Sequence, residues 1–254
     1  MRSGKDAMLK AVFGFAIAAG LGQPVVAQQV PDGFSVGALG ITGTNPYAGE
    51  DRFGVVVPLL GFKRGKFSIN TGDGASLNVI TRDGLDVAAI IAPRFAPFSA
   101  GDSTALAGMN RNFSVDGGVT LGFAATDRIN IDLRAVTEVT DEHGGQEVSI
   151  EASSLITLGR VPMLLGGGAV WQSADLAEYV YGVRGSEAAG GRPAYAPGAA
   201  VVPFVTLGTM YPINDQTRIF GGVKAEFLPQ ALSNSPIIDE SVVTSLTLGV
   251  SFGF

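Results

Sequence analysis

Cysteine does not occur in this chain and histidine occurs once, so the side chains that most often ligate metals or act as nucleophiles and bases are almost missing. Without cysteine, neither a disulfide framework nor a thiolate metal site can form. Carboxylates alone remain as metal ligands, and we expect no metal site, no cofactor and no catalytic constellation. Basic residues are outnumbered, with 17 Lys and Arg against 23 Asp and Glu, and the net charge of −6 argues against a nucleic-acid partner.

Long hydrophobic runs are also missing, because the apolar stretch Ala11–Leu21 falls short of the roughly 20 residues that a membrane-spanning helix needs. That stretch follows a basic start and precedes the small residues Val25–Ala27, which is the layout of a secretory signal peptide. A cytosolic amphipathic helix is the alternative, but the stretch is apolar on every side. We therefore predict a signal peptide over residues 1–27 and a single mature domain over residues 28–254.

The chain is instead rich in glycine, with 36 residues, and its mean hydropathy is +0.31. Its last segment, Ser241–Phe254, alternates between apolar and small or polar residues, as a strand with two different faces does. This pattern and the terminal aromatic residue predict the closing strand of an outer-membrane β-barrel; an edge strand of a soluble β-sandwich is the alternative. The face expected to meet lipid carries Val242, Thr244, Leu246, Leu248, Val250, Phe252 and Phe254.

The same alternation recurs along the chain and predicts an all-β fold, an antiparallel up-and-down transmembrane β-barrel. The alternating segments number eleven, and dividing Lys66–Ile80 at the turn-forming Thr71–Gly74 gives twelve strands, an even number as in bacterial barrels. Ten strands is the alternative, if one of these segments does not span the membrane.

Connection lengths predict which end of the barrel faces outward, since periplasmic turns are short and external loops are long. We count back from Phe254, which is expected at the periplasmic rim. Three short turns then fall in the periplasm and three long loops outside: Asp127-Arg128, Gly159-Arg160 and Asn214-Asp215, against Ala96–Asn112, Asp175–Ala200 and Pro229–Glu240.

Charged residues on the inferred inner face are the candidate functional set. Because an isolated charge away from water is costly, these side chains must pair with one another or face a wet interior. Both signs are mixed along neighbouring strands, which favours a structural polar network in the lumen; a selective pore or ligand site is the alternative. The candidate residues are Asp86, Arg94, Asp116, Asp132, Arg134, Glu138, Glu147, Glu151, Arg218, Lys224 and Glu226.

Other conspicuous residues carry less functional weight. His143 is predicted to be a solvated residue of an external hairpin, and Glu147 and Glu151 share a strand face without forming a catalytic motif. Trp171 and Tyr179–Tyr181 are expected to be aromatic residues at the membrane interface, with a sugar-binding platform as the alternative.

The longest predicted loop contains the most specific segment, Glu178–Ala200. A short helical turn capped by Ser186 is expected over Ser186–Ala189. In this loop the chain resembles the MipA/OmpV family of MltA-interacting outer-membrane proteins, and Pro46–Gly49 and Ser235–Asp239 fit that family as well. The loop residues that carry the resemblance are Tyr181, Gly182, Glu187, Arg192, Pro193 and Tyr195.

The resemblance implies a barrel in the Gram-negative outer membrane that, in some members of the family, links a lytic transglycosylase to a peptidoglycan synthase. It implies no catalytic residues, so the expected function is a non-enzymatic scaffold for cell-wall enzymes. A channel or small-solute receptor that uses the charged lumen and the external loops is the alternative, and a lipid-modifying barrel enzyme is a third possibility. Besides lipid, the barrel-assembly machinery is an expected partner, acting on the closing strand that carries Phe252 and Phe254.

Overall fold

The chain folds into a closed antiparallel β-barrel in which each strand pairs with the next and the last returns to the first. The computed structural model describes residues 32–159 and 161–254, so the predicted signal peptide lies outside the described residues. The strands are β1 (Gly33–Thr44), β2 (Arg52–Arg64), β3 (Phe67–Asn70), β4 (Gly74–Arg82), β5 (Leu85–Arg94), β6 (Ser114–Ala124), β7 (Ile129–Glu138), β8 (Gln146–Leu158), β9 (Val161–Gln172), β10 (Ala200–Pro212), β11 (Thr217–Phe227) and β12 (Val242–Gly253).

The twelve strands confirm the predicted count, including the division of Lys66–Ile80 into two strands. β3 has only four residues, because the chain reverses directly after Asn70. The side-chain oxygen of Asn70 accepts hydrogen bonds from the backbone N–H groups of Gly72 and Asp73, at 2.9 and 2.7 Å, which stabilises this turn. The β3–β4 hairpin is therefore much shorter than its neighbours.

The faces of the wall alternate as predicted. On β12, Leu248 is 63% exposed on the outer face, whereas the adjacent Gly249 is buried on the inner face. The outer face is a belt of exposed Val, Leu, Ile and Phe side chains. Such a belt is unfavourable in water and favourable in hydrocarbon, so the outer face suits a membrane.

The two ends of the barrel carry connections of different length. At one end, here called the turn end, strands join through short turns such as 65–66, 83–84, 125–128 and 213–216. At the other, the loop end, the connections are 45–51, 95–113, 139–145, 173–199 and 228–241. The predicted separation of long loops from short turns is thus confirmed, and the loop end is the outer one because barrels of this class keep their short turns in the periplasm.

The five connections of the loop end fold together into a structure that we call the cap. It contains two helices, α1 (Ala174–Tyr181) and α2 (Gln230–Ser233), neither of which is long and apolar enough to cross a membrane. Its apolar side chains form one cluster with Val202 and Val243, which face the lumen from β10 and β12. Because the cluster joins side chains from opposite parts of the rim, the cap lies over the mouth of the lumen.

Two expectations for the cap are wrong. Tyr179 and Tyr181 are not interface aromatics, because both are buried within α1 and the apolar cluster. α1 begins at Ser173, whose hydroxyl accepts a hydrogen bond from the backbone N–H of Leu176. The helical turn expected over Ser186–Ala189 lies instead at Gly185–Glu187.

Candidate functional site

Four of the predicted lumen residues form one ion-pair network below the cap. Arg94 Nη2 lies 2.6 Å from the carboxylate of Asp116 and 3.1 Å from that of Glu147, and Arg134 Nη1 lies 2.8 Å from Glu147. These residues come from the consecutive strands β5, β6, β7 and β8, whose register places them on the inner face. Two guanidinium groups thus neutralise two carboxylates.

Burial makes this network important for stability. The side chains of Asp116 and Glu147 are 3% and 4% exposed, so neither carboxylate can exchange its arginine for water. Removing the partner of a buried carboxylate costs about 3–5 kcal/mol, because an uncompensated charge is then left away from water. The network therefore fixes the packing of the inner wall just below the cap.

Glu138 has a different role from the one expected. Its carboxylate accepts backbone N–H groups of the 139–145 connection, from Glu142 at 3.0 Å, His143 at 3.2 Å and Gly144 at 3.0 Å. It also accepts the backbone N–H of Thr140. Glu138 thus organises a loop of the cap and does not join an ion pair in the described chain.

The remaining candidates are dispersed over the lumen wall. Lys224 pairs with Glu226 at 3.1 Å and lies over the ring of Phe204, whereas Glu151 accepts a hydrogen bond from Thr206 at 2.8 Å. The rest form no ion pair with any residue in the described ranges: these are Asp132, which lies directly opposite Glu151 on the neighbouring strand, and Asp86 and Arg218, which lie near the turn end.

Arg111 is the main residue that sequence reasoning missed. Its side chain is 0% exposed, pairs with Glu187 at 2.6 Å, and donates to the backbone carbonyls of Tyr179 at 2.7 Å and Gly182 at 3.2 Å. Although burial alone would raise the pKa of Glu187, the hydrogen bond from Arg111 holds that pKa below its usual value. Arg111 thereby joins segment 95–113 to segment 173–199, two parts of the cap that are distant in sequence.

The residues that carry the family resemblance lie in the same cap. Arg192 donates to the carbonyls of Ala105, Ala107 and Glu187, and the hydroxyl of Tyr195 donates to the carbonyl of Ala231 at 3.1 Å. These bonds connect segment 173–199 with the connections 95–113 and 228–241. Pro193 lies next to them and is exposed.

Two further residues of the motif hold the end of α1. Gly182 follows the helix closely, and a Cβ atom there would lie 2.6 Å from the carbonyl oxygen of Glu178. The carbonyl of Tyr181 accepts the hydroxyl of Ser235 at 2.5 Å, which ties α1 to the segment after α2. The motif residues thus stabilise the cap.

His143 is half-buried, not solvated as expected. Its ring stacks on Tyr179 with centroids 4.4 Å apart. Burial lowers the pKa of His143, and the nearby positive charge of Arg94 lowers it further. The hydroxyl of Tyr179 donates to the carbonyl of Asn112 at 2.5 Å, and burial raises the pKa of that tyrosine. The histidine is therefore a packing residue of the cap.

One contact of His143 has the residue types of a catalytic dyad, since its Nε2 lies 3.3 Å from the hydroxyl of Ser114. A serine hydrolase needs an unprotonated Nε2 that removes the serine proton. Here Nδ1 accepts the backbone N–H of Gly145 at 3.0 Å, so a neutral ring carries its proton on Nε2 and donates it to Ser114. This tautomer makes the pair structural.

Comparisons with known proteins agree with the barrel. A family model described as MltA-interacting protein MipA matches residues 36–254. The putative outer membrane protein YiaT of Escherichia coli K12 is 25% identical over 244 residues, covering 91% of this chain and 95% of that protein. The outer membrane protein OmpV of Vibrio cholerae is 26% identical over 197 residues, covering 77% of this chain and 70% of that protein. With the apolar outer face, these relatives place the chain in the Gram-negative outer membrane.

Two further similarities are weaker. The MltA-interacting protein of Escherichia coli K12 is 27% identical over 99 residues, covering 39% of this chain and 40% of that protein. Among solved structures, a KdgM porin in complex with disordered oligogalacturonate is similar with a TM-score of 0.48 and 8% identity, covering 87% of this chain and 99% of that one.

Proposed function

This chain belongs to the MipA family of MltA-interacting proteins, and on that premise we propose that it is a non-enzymatic outer-membrane scaffold that holds a lytic transglycosylase at the periplasmic face. The observation that carries the proposal is the closed loop end. A barrel whose outer mouth is filled by packed, hydrogen-bonded loops offers no continuous path to a solute. Its periplasmic rim then remains as the surface on which it can act.

The turn end offers a charged surface of limited size. Arg64, Lys66 and Arg82 are exposed on the turns of the neighbouring strands β2 to β5. Asp83 pairs with Arg82 at 2.9 Å, but both side chains are 82% exposed, and such a pair is weak. This group of cations, here called the basic rim, favours a partner with an acidic face and would accelerate its association.

A binding experiment with purified proteins tests this proposal. The full barrel, reconstituted in lipid nanodiscs, is immobilised and exposed to the lytic transglycosylase of the same bacterium. We expect retention of the enzyme by the wild type and strongly reduced retention by the double variant Arg64→Glu, Lys66→Glu. Arg52→Glu is the matched control, because Arg52 is exposed at the loop end and its reversal should leave retention unchanged.

The outcomes separate the two parts of the proposal. No retention by the wild type contradicts the scaffold function. Equal retention by wild type and double variant contradicts docking at the basic rim and leaves the enzyme bound elsewhere on the barrel.

A gated channel is the second candidate. It is favoured by the half-buried carboxylates of Asp132 and Glu151, which face the lumen without an ion-pair partner in the described part of the chain. A path that conducts ions through a pore needs charged groups of this kind along its water-filled wall. Conductance in a planar bilayer distinguishes this candidate from the scaffold, since only a channel passes a current.

A further inference from the structure

The wall of the barrel is incomplete beside β2. This strand has 13 residues, but it pairs with β3 only from Gly61 to Arg64. On the far side of the short hairpin, β4 pairs with β5 no further toward the loop end than Ala75–Ile91. No ladder joins β2 directly to β5 in the described barrel. A notch therefore lies between residues 52–59 of β2, the hairpin tip at 71–73 and residues 92–94 of β5.

The cap closes the upper side of this notch. Ser103 donates its hydroxyl hydrogen to the carbonyl of Ala48 at 2.7 Å, and the rings of Tyr47 and Phe98 pack with centroids 4.9 Å apart. Segment 95–113 thus crosses from β5 to the connection before β2. The notch is consequently a window in the wall, with the cap above it and the hairpin tip below.

The edge of β2 above Leu60 has no ladder partner in the described barrel, and Pro58 reduces the number of N–H groups that this edge presents to the notch. On this side the backbone N–H of Leu60 donates to the Thr71 hydroxyl at 2.8 Å, and the Leu60 carbonyl accepts the backbone N–H of Thr71 at 3.0 Å. Because the pattern alternates along a strand, Val56 and Pro58 also direct their backbone groups at the notch. Proline has no N–H to leave unpaired in hydrocarbon, and it hinders pairing with a further strand.

The side chains of β1 and β2 beside the notch are apolar on both faces of the wall, whereas Asp73 lies at the hairpin tip and β5 contributes the inward Arg94. Outside, Val56 is 71% exposed and Leu60 and Ile91 flank it on the lipid-facing belt. A groove of about 240 Å³, lined in part by Gly40 and Leu248, lies across β2 from the notch. The inner faces of β1 and β2 are also apolar here, unlike the charged inner faces of β6 to β8: they carry Leu39, Ile41, Val55, Val57 and Leu59.

We infer that this notch is a lateral binding site for an acyl chain of an outer-membrane lipid. The chain enters from the surrounding hydrocarbon and lies against the inward side chains of β1 and β2. The occupant follows from continuity: the apolar belt outside the notch contacts lipid, and the apolar surface extends through the notch to the interior. The chain itself gains no hydrophobic free energy, because it comes from hydrocarbon. The favourable contribution comes from the inward side chains of β1 and β2, whose apolar surface the chain shields from water. This site is independent of the proposed scaffold function.

Quenching by brominated lipid tests the site on the complete protein. Because the chain has no cysteine, single-cysteine variants can each carry one small fluorophore. Leu59→Cys places it inside the wall at the notch, Leu60→Cys outside on the belt, and Thr120→Cys inside on β6, on the polar inner face that also carries Asp116. Each folded barrel is reconstituted in phosphatidylcholine vesicles with or without bromine on the acyl chains.

We expect brominated chains to quench the fluorophore at Leu59 to a similar extent as at Leu60, and to leave that at Thr120 nearly unquenched. Quenching at Leu59 by aqueous iodide alone, as at Thr120, would overturn the inference and show a wet interior. Quenching by neither agent would also overturn it, because the notch would then be filled by protein. Val57→Cys repeats the measurement at a second inward position, should the first variant fail to fold.

Discussion

The two halves of the barrel differ in how their inward-facing side chains are buried and paired. Below the cap, inward side chains such as Glu147 and Val202 are buried and paired or packed. Near the turn end, Asp86 and Arg218 also face inward but are half-exposed and have no ion-pair partner within the described chain. The wall is built from the same alternating strands in both halves. The difference therefore comes from the connections. The long loops supply the apolar side chains that cover the lumen at the loop end, and the short turns at the other end do not.

Removing the arginine that anchors the buried half should have the largest effect. Arg94→Ala leaves Asp116 without a cation and Glu147 with Arg134 alone, and a broken buried pair costs about 3–5 kcal/mol. We expect a lower urea midpoint of unfolding, with the fluorescence of Trp171 as the signal. Arg218→Ala in the open half is the matched control and should shift stability by no more than about 0.5 kcal/mol. Equal shifts for the two variants would remove the distinction between the halves.

Loss of Arg111 should open the cap while leaving the wall closed. Arg111→Ala removes the partner of Glu187 and the donors to two buried carbonyls, and hydrogen bonds to charged groups contribute about 1.5–3 kcal/mol. We expect rapid proteolysis within segments 95–113 and 173–199. The barrel itself should still migrate as folded protein in electrophoresis when the sample is not heated. Arg52→Ala, exposed at the same end, should resist proteolysis like the wild type. A protected cap in the Arg111 variant would show that apolar packing alone holds it.

A methyl group at the end of α1 should have a smaller effect of the same kind. At Gly182 the added carbon meets the backbone of Glu178, and such overpacking costs about 1–3 kcal/mol. At Gly185 it meets nothing within 4 Å. We therefore expect Gly182→Ala to increase the proteolysis rate of the cap and Gly185→Ala to leave it unchanged. Identical rates would contradict this steric role of Gly182.

The smallest expected effect is a pH dependence confined to the cap. In the folded cap His143 binds a proton less tightly than in an unfolded chain, where histidine titrates near 6.5. As pH falls through that value the unfolded cap is protonated first, so cap stability decreases. The proteolysis rate should rise below pH 6.5 in the wild type and lose this dependence in His143→Gln. A rate in the wild type that does not change over this range would contradict the shift.

The wall could be predicted from the sequence, whereas the cap could not. Alternation in segments such as Ser241–Phe254 is local, so it identifies strands, faces and the short hairpin at Thr71–Gly74. The pairing of Glu147 with both Arg94 and Arg134 depends on the register of the three strand pairs from β5 to β8. Arg111 carries no periodic signal at all, because its partners come from a distant loop.

Planar-bilayer conductance tests the central claim, that the loop end is closed and the turn end is open, most directly. The purified wild type, inserted in a bilayer, should pass no steady current at moderate voltage. A variant in which residues 174–199 are replaced by a short glycine-serine connection should pass one, because the wall remains and the mouth is uncovered. A steady current through the wild type, equal to that of the shortened variant, would contradict a closed cap.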